Sequence, residues 1–128
     1  MATNEFGLSK IEQIAINATD IERATAFYRD KLGMKHLFNA PPNLAFFDCA
    51  GIRLMLSLPP KPEFDHASSI IYFNVDDIQQ AVKVLKERGV QFVEEPVFVA
   101  DMGSYDLWTA AFRDSENNLM GLQSHVAK

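Results

Sequence analysis

One order of local patterns occurs twice along this chain, and that duplication limits the folds open to it. Ile11 to Ala18 alternates as a strand does. Thr19-Asp20 then offers an N-cap to the amphipathic stretch Ile21 to Leu32, which stops at Gly33. Within that stretch Ile21, Ala24, Phe27, Tyr28 and Leu32 recur at helical spacing and form a core face. Three shorter apolar runs follow, Met34 to Asn39, Leu44 to Cys49 and Ile52 to Leu58, divided by Pro41-Pro42-Asn43 and by Ala50-Gly51. The reading is βαβββ.

The same order then restarts. Ser69 to Val75 is β-rich, Asp76-Asp77 supplies a cap, and Ile78 to Arg88 is a helical stretch ending at Gly89. Val90 to Ala100, Asp106 to Arg113 and Leu119 to Gln123 are three further predicted strands. Short echoes support the doubling: Asp20-Ile21 with Ala24 matches Asp77-Ile78 with Ala81, and Asp48 with Leu56 matches Asp114 with Leu122. A proline-rich connector at about 59–67 separates a first module at about 9–58 from a second at about 68–125, all within one domain spanning 1–128. A half of this size leaves one sheet face uncovered, so two halves gain stability by burying faces against each other. The expected architecture is α+β, two βαβββ modules forming a half-open eight-stranded barrel with helices outside and a concave space between the modules.

Composition narrows the partners. The 128 residues are 48% hydrophobic and 23% charged, too apolar for a disordered segment. With 12 Lys and Arg against 17 Asp and Glu, the net charge of −5 carries no footprint for nucleic acid or anionic lipid. No apolar run reaches the roughly 18 residues of a membrane helix. Met1 to Lys10 carries Glu5 and lacks the basic start and apolar core of a signal peptide, so a cytoplasmic location is expected. The single cysteine, Cys49, excludes an internal disulfide and a multi-thiolate metal site, and it reads as an inert thiol in an apolar run.

The run Ile11 to Asp20, the stretch Ala26-Phe27-Tyr28-Arg29-Asp30-Lys31-Leu32-Gly33-Met34, and Leu107-Trp108 with Phe112-Arg113-Asp114 and Asn117-Asn118-Leu119 together resemble the vicinal oxygen chelate superfamily. That group holds glyoxalase I, extradiol dioxygenases, and fosfomycin and bleomycin resistance proteins. The resemblance extends from about Ile11 to Gln123 and includes the paired βαβββ order. It implies a metal held by a His seven residues before the Asp that opens each helix, and by a carboxylate or His seven residues after an Asp preceding each module's last strand. Counting so from Asp20, Asp77, Asp48 and Asp114 reaches Gln13, Ile70, Met55 and Gly121. A divalent ion needs three or four convergent imidazole, carboxylate or thiolate donors. These four positions offer a neutral amide, a thioether and two side chains without donors, so no metal and no other cofactor is expected.

The remaining candidates carry two readings each. Gln13 orients a ligand or is satisfied by backbone, and Met55 fills space or forms an adaptable apolar wall. Trp108 and Tyr72 suit either a barrel core or a pocket lining, and strand alternation with Ile70 favours Tyr72 for the cavity. His36, His66 and His125 lie on separate elements and read as surface or edge residues, with acid–base work at a pocket mouth as the second reading for His66. Glu94-Glu95, Asp101 and Asp106 read as solvated strand-end and loop charges, and Asp101 to Tyr105 as a hairpin or a flap. Asp114 to Asn118 is a turn whose Asx residues tolerate positive φ.

Three functions follow. The first is a metal-independent protein binding a small organic molecule in the inter-module cavity, lined by Gln13, Met55, Tyr72 and Trp108. The second is a glyoxalase-type lyase or isomerase, or a dioxygenase, with noncanonical metal ligands, or a metal-free catalyst using His66 or a Glu as base. The third is a non-catalytic interaction module. The resemblance also implies a homodimer.

Overall fold

The computed structural model describes residues 6–128; Met1 to Glu5, on which part of the N-terminal reading rests, lie outside the described residues. The first sheet contains β1 (Gln13–Asn17), β2 (Lys35–Ala40), β3 (Leu44–Cys49) and β4 (Ile52–Ser57), in the order β1-β4-β3-β2. The second contains β5 (Ile71–Asn74), β6 (Phe92–Asp101), β7 (Tyr105–Arg113) and β8 (Leu119–Ala127), in the order β5-β8-β7-β6. In each sheet the first strand pairs parallel with the fourth and the other pairs are antiparallel. Among the described residues no strand pairs across the two sheets, which stay open rather than closing into one barrel.

Helices α1 (Ile21–Ala26) and α2 (Ile78–Glu87) follow the first strand of each module. Both begin at the aspartate expected from the sequence, Asp20 Oδ1 accepting from the Arg23 amide at 3.0 Å and Asp77 Oδ1 from the Gln80 amide at 3.1 Å. The first helix differs from expectation in its second half, where Phe27–Lys31 forms a π-helical turn. There the Leu32 amide reaches back to the Phe27 carbonyl at 3.1 Å, one residue further than an α-helix would take it. The eighth strand also runs on to Ala127, because each of its residues back to Leu119 finds a partner on the long β7, from Arg113↔Leu119 to Tyr105↔Ala127. The connector holds a single 3₁₀ turn, Pro62–Phe64.

One face of each sheet is covered by helix. Ile16, Phe27, Tyr28, Phe47, Leu54 and Leu56 from the first module join Ile78, Val82, Phe112, Met120 and Leu122 from the second in one buried cluster. The core therefore sits on the helix side of both sheets, and period-two alternation turns the opposite faces outward. Among the described residues no helix is long and apolar enough to cross a membrane.

A polar clamp fixes one module against the other. Tyr28, fully buried, donates its hydroxyl to Asp114 Oδ2 at 2.7 Å, which satisfies a phenol that the core would otherwise strand. Asp114 Oδ1 also accepts from the amides of Glu116 and Asn118, and Asn118 Nδ2 donates to the Asn17 carbonyl at 2.9 Å. Next to it the Glu116 carboxylate, 1% exposed, accepts from the Thr19 and Asp20 amides and from the Arg23 guanidinium. Burial alone would push this carboxyl up, but the hydrogen bonds from Arg23, Ser115, Asp20 and Thr19 outweigh it and hold the pKa at about 2. The same environment, burial first and the Asp114 charge second, keeps the Tyr28 hydroxyl protonated well beyond the usual range.

Candidate functional site

The outward face of the first sheet is built from every second residue of its strands. Gln13, Ala15 and Asn17 on β1 lie beside Arg53, Met55 and Ser57 on β4. Met55 in turn faces Phe46 on β3, and Phe46 faces Phe38 on β2, with ring centroids 4.8 Å apart. Gln13 and Met55 therefore share one face. Phe38 remains 48% exposed, and the Arg53 guanidinium rests over the Phe46 ring at 5.4 Å.

On the second sheet Tyr72 faces Gly121, and Gly121 faces Ala111, while Asn74 faces Gln123 and Thr109. The Tyr72 ring packs closely against Gly121: a Cβ added there would meet Tyr72 Cδ2 at 2.5 Å and Cε2 at 2.6 Å. Glycine at this strand position is thus a seat for an aromatic ring. Replacing Gly121 by alanine is expected to lower stability by about 1–2 kcal/mol in urea unfolding, because the ring must leave its seat. The same change in a Tyr72→Ala background is expected to cost almost nothing; equal losses in both backgrounds would refute the contact.

Trp108 is not on this face. Its register partner is Ser124, whose buried hydroxyl donates to the Asp76 carbonyl, and the indole lies against the helix-side cluster and, edge-on, against Phe98 at 6.4 Å. Strand alternation separates it from Thr109 and Ala111, so the expected shared lining of Tyr72 and Trp108 is corrected. Nor do the modules enclose Gln13, Met55 and Tyr72 within one chain. The clefts of about 590, 340 and 370 Å³ are lined by other residues, near the Phe27–Lys31 turn, around Leu85 and beside Trp108. Ile70 and Tyr72 are instead 44% and 50% exposed on the outward face.

The four positions that the resemblance implies as metal ligands carry Gln13, Met55, Ile70 and Gly121, and the Tyr72 ring covers the last of these. One amide oxygen and one thioether do not fit a divalent ion. Among the described residues no group of three or more His, Cys, Asp or Glu side chains converges. His36 lies on the helix side, its ring 5.1 Å from that of Phe47; His66 sits in the connector, its carbonyl accepting from Asn17 Nδ2 at 2.8 Å; His125 stacks on Tyr105 at 4.1 Å. Cys49 is half-buried, and burial together with the Asp48 charge pushes its thiol pKa up, which suits an unreactive role.

Sequence reasoning missed Arg53 and the Asp114–Glu116 clamp. A signal for the clamp was present in Tyr28, a phenol on the core face of a helix that needs an acceptor, and in the Asx-rich turn able to supply one.

The sequence profile described as the Glyoxalase/Bleomycin resistance protein/Dioxygenase superfamily matches residues 10–122. No curated protein sequence matches this chain. Several solved structures share the fold. A lactoylglutathione lyase from Agrobacterium tumefaciens superposes with a TM-score of 0.75 at 22% identity, over 91% of this chain and 94% of that one. A member of the glyoxalase/bleomycin resistance protein/dioxygenase superfamily from Sphaerobacter thermophilus gives 0.75 at 25% identity, over 91% and 98%. TnmS3, an antibiotic binding protein from Streptomyces, gives 0.73 at 22% identity, over 94% and 98%.

Proposed function

The chain belongs to the glyoxalase/bleomycin resistance protein/dioxygenase superfamily, and on that premise we propose that it binds a small organic molecule on its outward sheet faces without a metal. The observation that carries this reading is the donor set at the four family positions, where Tyr72 seated on Gly121 replaces a ligand with an aromatic surface. A lyase or dioxygenase step needs an electrophile at that point, and these side chains cannot hold one. An apolar wall of Met55, Phe46 and Phe38 and a polar amide at Gln13 match the usual lining of an organic-ligand site. The antibiotic-binding relative is consistent with such a use of this fold.

The binding unit is a homodimer. Phe38 on the first sheet and Ile70 and Tyr72 on the second are exposed apolar side chains on the outward faces, which a second copy would cover. One chain presents two such faces, so a closed two-fold pair can lay the first sheet of each copy over the second sheet of the other and cover both. Gln13 and Met55 of one copy then oppose Ile70, Tyr72 and Gly121 of its mate, and the dimer holds two equivalent pockets.

Thermal unfolding tests the reading against a library of aromatic and heteroaromatic compounds. A ligand at a hundredfold its Kd adds about 2.7 kcal/mol and is expected to raise Tm by roughly 8 °C. Sedimentation equilibrium is expected to give a dimer. A monomer throughout, or one Zn, Ni, Fe or Mn ion retained per chain after loading and desalting, would overturn it.

A further inference from the structure

Arg53 is the one arginine without a hydrogen-bond acceptor among the described residues. Arg23 pairs with Glu116 and Arg29 with Asp30, while Arg88 donates to the Lys31 carbonyl and Arg113 to the Asn117 carbonyl. Arg53 makes no such bond although Asp48 is its direct cross-strand neighbour. The Asp48 Oδ1 is instead turned into the β3–β4 turn, where it accepts from the Gly51 amide at 3.2 Å. The guanidinium lies over Phe46, so its plane is held against an aromatic face while its N–H donors remain unspent. On its other side stands Gln13, whose amide also lacks a protein partner among the described residues. An unspent cation and an unspent amide, side by side, thus border an apolar platform one row away at Ala15 and Met55, with the buried Phe46 ring beneath the guanidinium.

We propose that the ligand is an aromatic carboxylate: Arg53 receives the carboxylate with help from Gln13, and the aromatic body lies over Ala15 and Met55. This rests on the small-molecule reading above and adds the charge of the molecule to it. A planar guanidinium offers two parallel N–H bonds to a carboxylate, a geometry that a neutral amide of the same shape cannot match. On a chain of net charge −5 the preference must come from this local arrangement, since the overall field repels anions.

The test uses the full-length protein in its native oligomeric state and matched probes, 2-naphthoate and 2-naphthamide with indole-3-acetate and its amide, titrated by calorimetry. Each carboxylate is expected to bind about tenfold more tightly than its amide. Arg53→Gln is expected to remove that preference while leaving amide affinity and Tm unchanged, and Arg53→Lys to retain part of it. Lys35→Gln, on the same sheet at its edge, is expected to change nothing. Equal binding of acids and amides overturns the proposal while the small-molecule reading stands. So does an Arg53→Gln variant that keeps the preference, or one that instead weakens self-association, since Arg53 would then serve a carboxylate of the second copy. Failure of every probe, acid and amide alike, overturns both.

Discussion

Replacing Glu116 by alanine is expected to lower the free energy of unfolding at neutral pH by about 3 kcal/mol. The side chain is 1% exposed and accepts from Thr19, Asp20, Arg23 and Ser115, so truncation leaves two amides at the start of α1 and one guanidinium without their acceptor. Because the folded pKa of about 2 lies below the ordinary 4.5, the stabilisation is present above pH 4.5 and is lost as acid is added toward pH 2. Glu116→Gln mimics the protonated carboxyl. Urea unfolding of wild type and this variant is expected to show a gap of about 3 kcal/mol at pH 7 that shrinks below about pH 5. A gap that is constant across that range would refute the assignment.

Asp114→Ala is expected to cost still more, about 4 kcal/mol, because it strips a buried carboxylate from several donors at once. The Tyr28 hydroxyl, the amides of Glu116 and Asn118, and Asn118 Nδ2 all bond to it. Tyr28→Phe removes only the phenol donor and is expected to cost about 1–2 kcal/mol. In a double-mutant cycle the phenylalanine change should matter far less once Asp114 is gone, since the partner is already lost. Additive losses would show that the two side chains do not act together. Asp114 also positions the Glu116 backbone, so Asp114→Ala and Glu116→Ala combined should fall short of their sum.

The order of elements was legible because it rests on short-range signals. Asp20 and Asp77 cap their helices as their sequence context implied, and the apolar runs become strands in the expected order. Gln13 and Met55 were reached by counting from Asp20 and Asp48 and Tyr72 by alternation with Ile70, and all three were expected in a cavity between the modules; in the structure they lie on outward strand faces. Trp108 alternates in phase with Ala110 and Phe112, which are buried on the helix side, and which side of β7 meets the helices is decided by packing between distant segments. The π-helical turn was illegible because its i to i+5 bond preserves the apolar spacing of a helix within one turn. The direction in which the two modules face depends on contacts from distant segments, such as Glu116 with Thr19 and Tyr28 with Asp114, that no local pattern carries.

The ring resting on Gly121 also imposes an order on change over generations. A carboxylate introduced at position 121 collides at once with Tyr72, so a lineage acquiring an ion there must first shrink residue 72. That first step strips an aromatic surface and by itself confers no ion affinity, since Gln13, Met55 and Ile70 still lack donors. Acquiring an ion is thereby a multi-step path whose first step yields no binding, and aromatic or bulky residues at 72 are expected to accompany glycine at 121.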